Sequence, residues 1–141
     1  MNEKILCGKT LSQQILDTVG DEVEDLRVNN QRQPSLAVVL VGSDPASQVY
    51  VRNKKNACEK VAVKSLEYIL PAETNQAELV NLIQQLNADE SVDGILVQLP
   101  LPAHLDSKLI IDSILPNKDV DGFHRYNMGS LALKDPNICP C

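Results

Sequence analysis

Six consecutive aliphatic residues, Leu36-Ala37-Val38-Val39-Leu40-Val41, run straight into Gly42. A strand with one wet face alternates apolar and polar side chains. An unbroken apolar run suits a parallel strand covered on both faces. Such a strand needs helices on either side, and the neighbouring sequence supplies them. Asp44-Pro45 joins an N-cap residue to a first-turn proline and predicts a helix to about Val61. Ser65 to Leu70 reads as a second strand, bounded by Pro71. Leu79, Leu82, Ile83 and Leu86 mark the inner stripe of a helix opened near Thr74 or Asn75. Asp93-Gly94 leads into a third buried strand, Ile95-Leu96-Val97-Gln98-Leu99, stopped by Pro100 and Pro102. Upstream, Leu11, Ile15, Val19, Val23 and Leu26 suit a first helix from Thr10, followed by a polar break over Asn29 to Pro34. A short helix of about Asp106 to Leu115 precedes an acidic loop. This alternation predicts a three-layer α/β domain, with a mostly parallel sheet and helices on both faces.

Several classes of function drop out on composition. A net charge of −6 argues against a broad nucleic-acid surface. The acids Asp17, Asp21, Glu22, Glu24 and Asp25 are expected on a solvated helix face. No apolar run approaches the roughly 20 residues of a membrane span, and Met1-Asn2-Glu3-Lys4 lacks a signal-peptide pattern. Cys7, Cys58, Cys139 and Cys141 fit neither a zinc site nor a disulfide framework. They read as free thiols in a reducing, cytoplasmic compartment, and no metal site is expected.

Ligands of open α/β sheets bind outside the carboxyl ends of the strands. Tyr50 and Lys54, four residues apart on the second helix, share a face there with Ala46, Ala57 and Val61. A lysine inside an apolar stripe is either a proton carrier, a Schiff-base former or a side chain snorkelling past the core edge. Gln98 closes an otherwise aliphatic strand, and its amide needs a partner: Lys54, a ligand or neighbouring backbone. Leu99-Pro100-Leu101-Pro102 makes a stiff apolar wall. The run Pro116-Asn117-Lys118-Asp119-Val120-Asp121-Gly122-Phe123 interleaves apolar residues with acids, which suits a loop held against the body while presenting carboxylates. Either Asp119 or Asp121 could accept paired N–H donors from a flat heterocycle. Gly42-Ser43-Asp44-Pro45 lacks the glycine spacing of a phosphate cradle and carries its own acid.

Three blocks in order, Val41–Val51 with Lys54, Gly94–Pro102 and Pro116–Phe123, resemble the bifunctional methylenetetrahydrofolate dehydrogenase/methenyltetrahydrofolate cyclohydrolase family. The resemblance covers nearly the whole chain. It implies catalytic roles for Lys54 in proton handling, Gln98 in tuning that lysine and Asp121 in anchoring the pterin ring. It further implies that Tyr50 stacks on the folate, and that Ser47, Val97, Leu99 and Pro100 contribute to the same substrate site. The implied partners are tetrahydrofolate derivatives and a second copy in a homodimer. The implied cofactor is NADP, or NAD in some relatives, and the implied setting is one-carbon metabolism feeding purine biosynthesis. In the family a dinucleotide-binding domain follows, and its glycine motif is absent here. Residues 1–132 are therefore expected to form the folate-binding catalytic domain, and 133–141 to begin a linker that stops at Pro140-Cys141, as in a truncated enzyme without hydride transfer of its own. Departures from the family pattern are Asn56 for a frequent lysine, Ala62 for a usual glycine and Ser130 for a frequent arginine. The change at Ala62 is expected to bear on the end of the second helix.

Overall fold

The computed structural model describes residues 7–29 and 31–135. The element order is α1 (Gly8–Val28), β1 (Ser35–Val41), α2 (Pro45–Lys60), β2 (Lys64–Leu70), α3 (Gln76–Ala88), β3 (Gly94–Val97), α4 (Ser107–Asp112) and α5 (Arg125–Ala132). The three strands form a parallel sheet in the order β2-β1-β3, with Leu36 opposite both Ser65 and Gly94. The central β1 is the all-aliphatic run. Its alternate side chains enter two separate cores, as a strand of period two requires. Ala37, Val39 and Val41 join Ile95, Leu79, Ile83 and Ile110 on the α3–α4 side. Val38 and Leu40 join Leu96 and Val51 on the α2 side. Each such Val, Leu or Ile side chain contributes about 1.5–3 kcal/mol on burial.

Local chemistry sets the helix starts. Asp44 accepts the Ser47 N–H at 2.8 Å behind the first-turn Pro45 of α2. Asn75 and Glu78 form a reciprocal capping box on α3, each bond 3.0 Å long. Helix α2 ends with Ala62 in the left-handed region, φ 55°. A Cβ in that conformation costs about 1–2 kcal/mol, a cost that the glycine implied by the resemblance would avoid. Both Gly42 and Gly122 also have positive φ, at 87° and 72°, and so permit the turns that follow β1 and the acidic loop.

Two expectations need correction. Helix α1 buries Val23, but Leu11 and Ile15 of the expected stripe are more than half exposed, because α1 meets the domain chiefly through α2. The buried face of α2 runs through Ser47, Val51 and Cys58, one residue round from the expected face, so Ala46 and Tyr50 point outward. Helix α5 occupies residues for which no element was read from the sequence, and its buried residue is the polar Asn127. Cys139 and Cys141 lie outside the described residues.

Candidate functional site

The carboxyl ends of β1 and β3 open onto one polar cluster. Immediately after β3, the Gln98 N–H donates to Val39 O at 2.8 Å, which extends the ladder by one bond. Its side-chain Nε2 donates to Leu99 O at 2.8 Å, so Oε1 is left facing α2. There Lys54 Nζ donates to Gln98 Oε1 at 3.0 Å. Lys54 is half-buried at the edge of the α2 face, with its ammonium on the amide. Val97 is buried, Leu99 half-buried and Pro100 exposed after a cis peptide bond.

The loop from Pro116 supplies the third wall. Ile95 N donates to Lys118 O at 2.7 Å, and Ile95 pairs with Asp119 in parallel bridge geometry, so the loop lies along the free edge of β3. A Cβ on Gly94 would come within 2.4 Å of Val120 Cγ1, and only glycine permits that approach. Lys118 Nζ donates to Leu86 O, Asn87 O and Asp89 O at 2.8–3.0 Å, satisfying carbonyls at the end of α3. Its charge complements that helix terminus.

The two acids of this loop have different duties. Asp119 is 1% exposed, and its Oδ2 accepts the His124 N–H at 2.8 Å and Asn127 Nδ2 at 2.9 Å. It is committed to the protein and cannot bind a heterocycle. Asp121 is half-buried; burial pushes its carboxyl above the ordinary range, Lys54 draws it down and Asp119 raises it. A carboxyl in this environment suits paired hydrogen bonding to a flat N–H donor. Ser47 is 2% exposed, and its Oγ has no hydrogen-bond partner. Tyr50, one turn before Lys54, is 61% exposed.

The structure thus brings Lys54, Gln98 and Asp121 to one place and sets Tyr50 at its rim. The turn at Gly42 offers a nucleotide phosphate no cradle, because it ends in Asp44, whose carboxylate already caps α2. NADP does not fit that turn, because the acid repels phosphate where a dinucleotide site needs open N–H groups. Spacing did not reveal the roles of Asp119, Asn127 and Lys118. What marked that stretch in the sequence was the interleaving of apolar residues with acids.

Residues 6–121 match the family model described as the catalytic domain of tetrahydrofolate dehydrogenase/cyclohydrolase. The chain belongs to this family. Among curated members, the bifunctional protein FolD of Neisseria gonorrhoeae is 55% identical over 141 residues, which are 100% of this chain and 50% of that protein. FolD of Magnetococcus marinus is 54% identical over 137 residues, covering 97% of this chain and 48% of its own length. Among solved structures, FolD of Campylobacter jejuni superposes with a TM-score of 0.92 at 47% identity over 95% of this chain and 48% of that one. The Trypanosoma brucei dehydrogenase-cyclohydrolase, complexed with NADP cofactor and inhibitor, gives 0.92 at 32% identity over 100% of this chain and 49% of that one. This family member therefore spans about half the length of the curated relatives it matches.

Proposed function

We propose that this chain supplies the folate-binding half of an enzyme that oxidises 5,10-methylenetetrahydrofolate and hydrolyses the 5,10-methenyl product to 10-formyltetrahydrofolate. The observation that carries the reading is the 3.0 Å contact between Lys54 and Gln98, with Asp121 beside it. In the hydrolytic step, water oxygen bonds to the methenyl carbon and gives up a proton. The bond from that carbon to N5 then breaks, N5 takes up a proton, the new hydroxyl loses one and the formyl group stays on N10. Lys54 is the group placed to move these protons, and Gln98 Oε1 orients its Nζ. Asp121 anchors the pterin through paired hydrogen bonds, Tyr50 covers its face, and Ser47 offers its free hydroxyl. Val97, Leu99 and Pro100 line the wall.

Residues 1–132 form the folate domain in this reading, and 133–141 lead toward a nucleotide domain. NADP would be held by that domain rather than by the residues described here, and would supply the hydride acceptor. The fuller enzyme is a cytoplasmic homodimer in one-carbon metabolism. A second reading, binding without turnover by this half alone, is favoured by the outward position of Tyr50, which leaves the cluster open to water.

The test is nucleotide-free hydrolysis of 5,10-methenyltetrahydrofolate by the 141-residue chain, with folate binding measured in parallel. Lys54→Met is expected to lower the rate by about 10²–10⁴-fold while leaving the fold intact. Undiminished turnover in Lys54→Met would remove the lysine from the mechanism. Folate binding without turnover in the parent chain would select the second reading.

A further inference from the structure

Helix α5 contributes no side chain to the Lys54 cluster, yet it buries an amide against the loop that carries Asp121. Asn127 is 1% exposed, and its Nδ2 donates to Pro116 O and to Asp119 Oδ2, each at 2.9 Å. Both protons of that amide are therefore used within one loop. Pro116 O lies at the start of that loop and Asp119 near its apex. The same Asp119 Oδ2 also accepts His124 N, the N-cap residue of α5, at 2.8 Å. Asp119 O in turn accepts the Gly122 N–H at 3.3 Å, closing a turn over Val120 and Asp121. Asp121 thus sits between two points pinned by a single buried amide and a single buried carboxylate.

We propose that Asn127 is a positioning residue for Asp121: by clamping Pro116 O and the Asp119 carboxylate together, it sets where the Asp121 carboxylate stands relative to Lys54. The proposal rests on the reading of Asp121 as the folate anchor only for its effect on binding. A buried carboxylate deprived of a donor must find another or take up water. In this loop either change reopens the turn that carries Asp121. Asn127 itself touches neither Lys54 nor Gln98, so it acts through Asp119.

The test follows the Asp121 carboxyl of the whole chain by carbon-13 NMR across the acid range and measures affinity for a tetrahydrofolate analogue on the same samples. Lys54 and Asp119 are the charged groups acting on this carboxyl. In Asn127→Ala, the Asp121 titration is expected to fall toward the ordinary carboxylate value as the turn opens to water, and affinity to drop about tenfold. Asn127→Ser, which keeps a donor for one of the two acceptors, is expected to lose less of both than Asn127→Ala. An unmoved Asp121 titration in a folded Asn127→Ala chain overturns the proposal. If that variant does not fold, the parent chain decides: the Asn127 amide protons should shift in step with the Asp121 titration, and their indifference to it overturns the proposal equally. A moved titration with unchanged affinity sustains the positioning role and removes Asp121 from folate binding instead.

Discussion

The two ends of the sheet are built on opposite electrostatic plans. At the amino end, Arg32 grips Asp93 with two parallel bonds of 2.7 and 2.6 Å and also donates to Glu90 O at 2.7 Å. Asp93 Oδ2 accepts the Ser35 N–H at 2.8 Å, which ties the entrance of β1 to that of β3. Ser35 Oγ donates to Ser91 O. The Arg32 hydrogen bond holds the Asp93 carboxyl below its ordinary value. At the carboxyl end, burial raises Asp121, and Ser47 Oγ has no partner. The Arg32–Asp93–Ser35 cluster satisfies its polar groups internally, although Ser65 Oγ near that end also lacks a partner; at the carboxyl end Lys54 and Gln98 pair, and Asp121 and Ser47 are left open.

Breaking the amino end should have the larger effect on folding. Asp93→Ala frees the Arg32 guanidinium and the Ser35 N–H together. It is expected to cost about 1–2 kcal/mol, held down because the pair is half exposed and screened. Urea denaturation at constant slope reads that cost, and folate affinity should not change. A loss of affinity of similar size would mean that the two ends are coupled rather than separate in purpose.

The carboxyl end should respond in the opposite sense. Ser47→Ala removes a buried hydroxyl without a partner, and stability is expected to hold or rise by up to about 1 kcal/mol while folate affinity falls. A clear destabilisation would show that the hydroxyl has a structural partner after all.

The smallest effect sharpens the contrast through pH. Asp121 is protonated more readily in the folded chain than in the unfolded one, so its contribution to stability declines as pH rises from the ordinary carboxylate range through its raised folded value. Asp93 works the other way: its contribution is present above the ordinary range and disappears as pH falls through its lowered folded value. Asp121→Asn should therefore raise the melting temperature slightly at neutral pH, and the gain should vanish on acidification. A gain that persists or grows in acid would contradict the raised value.

Elements with a strong apolar signature were readable from the chain alone. The run through β1, the stripe Leu79, Ile83 and Leu86, and the caps at Asp44 and Asn75 each combine local propensity with a pattern that admits one kind of element. The chemistry of the cluster was also marked, since a lysine on a helix face and a glutamine closing an aliphatic strand are both exceptions to their surroundings. The face of α2 was misjudged by one position, because Ser47 is small enough to pack inward while Tyr50 swings out. Such a rotation is worth little in local pattern and is decided by what the helix packs on.

The residues by themselves left both acids open and only the resemblance implied Asp121; the tertiary structure shows Asp119 committed to the protein. Asp119 and Asp121 are two residues apart with the same chemistry, and nothing local distinguishes them. Their separation depends on Asn127, a polar residue whose burial carries no periodic signal, on a helix held by hydrogen bonds rather than by an apolar stripe. By itself the sequence determined the parallel sheet, its covering helices and the presence of a lysine, an amide and acids, because burial patterns repeat along the chain. Which of those groups meet, and which acid remains free, depended on contacts between residues far apart in sequence, which no local pattern encodes.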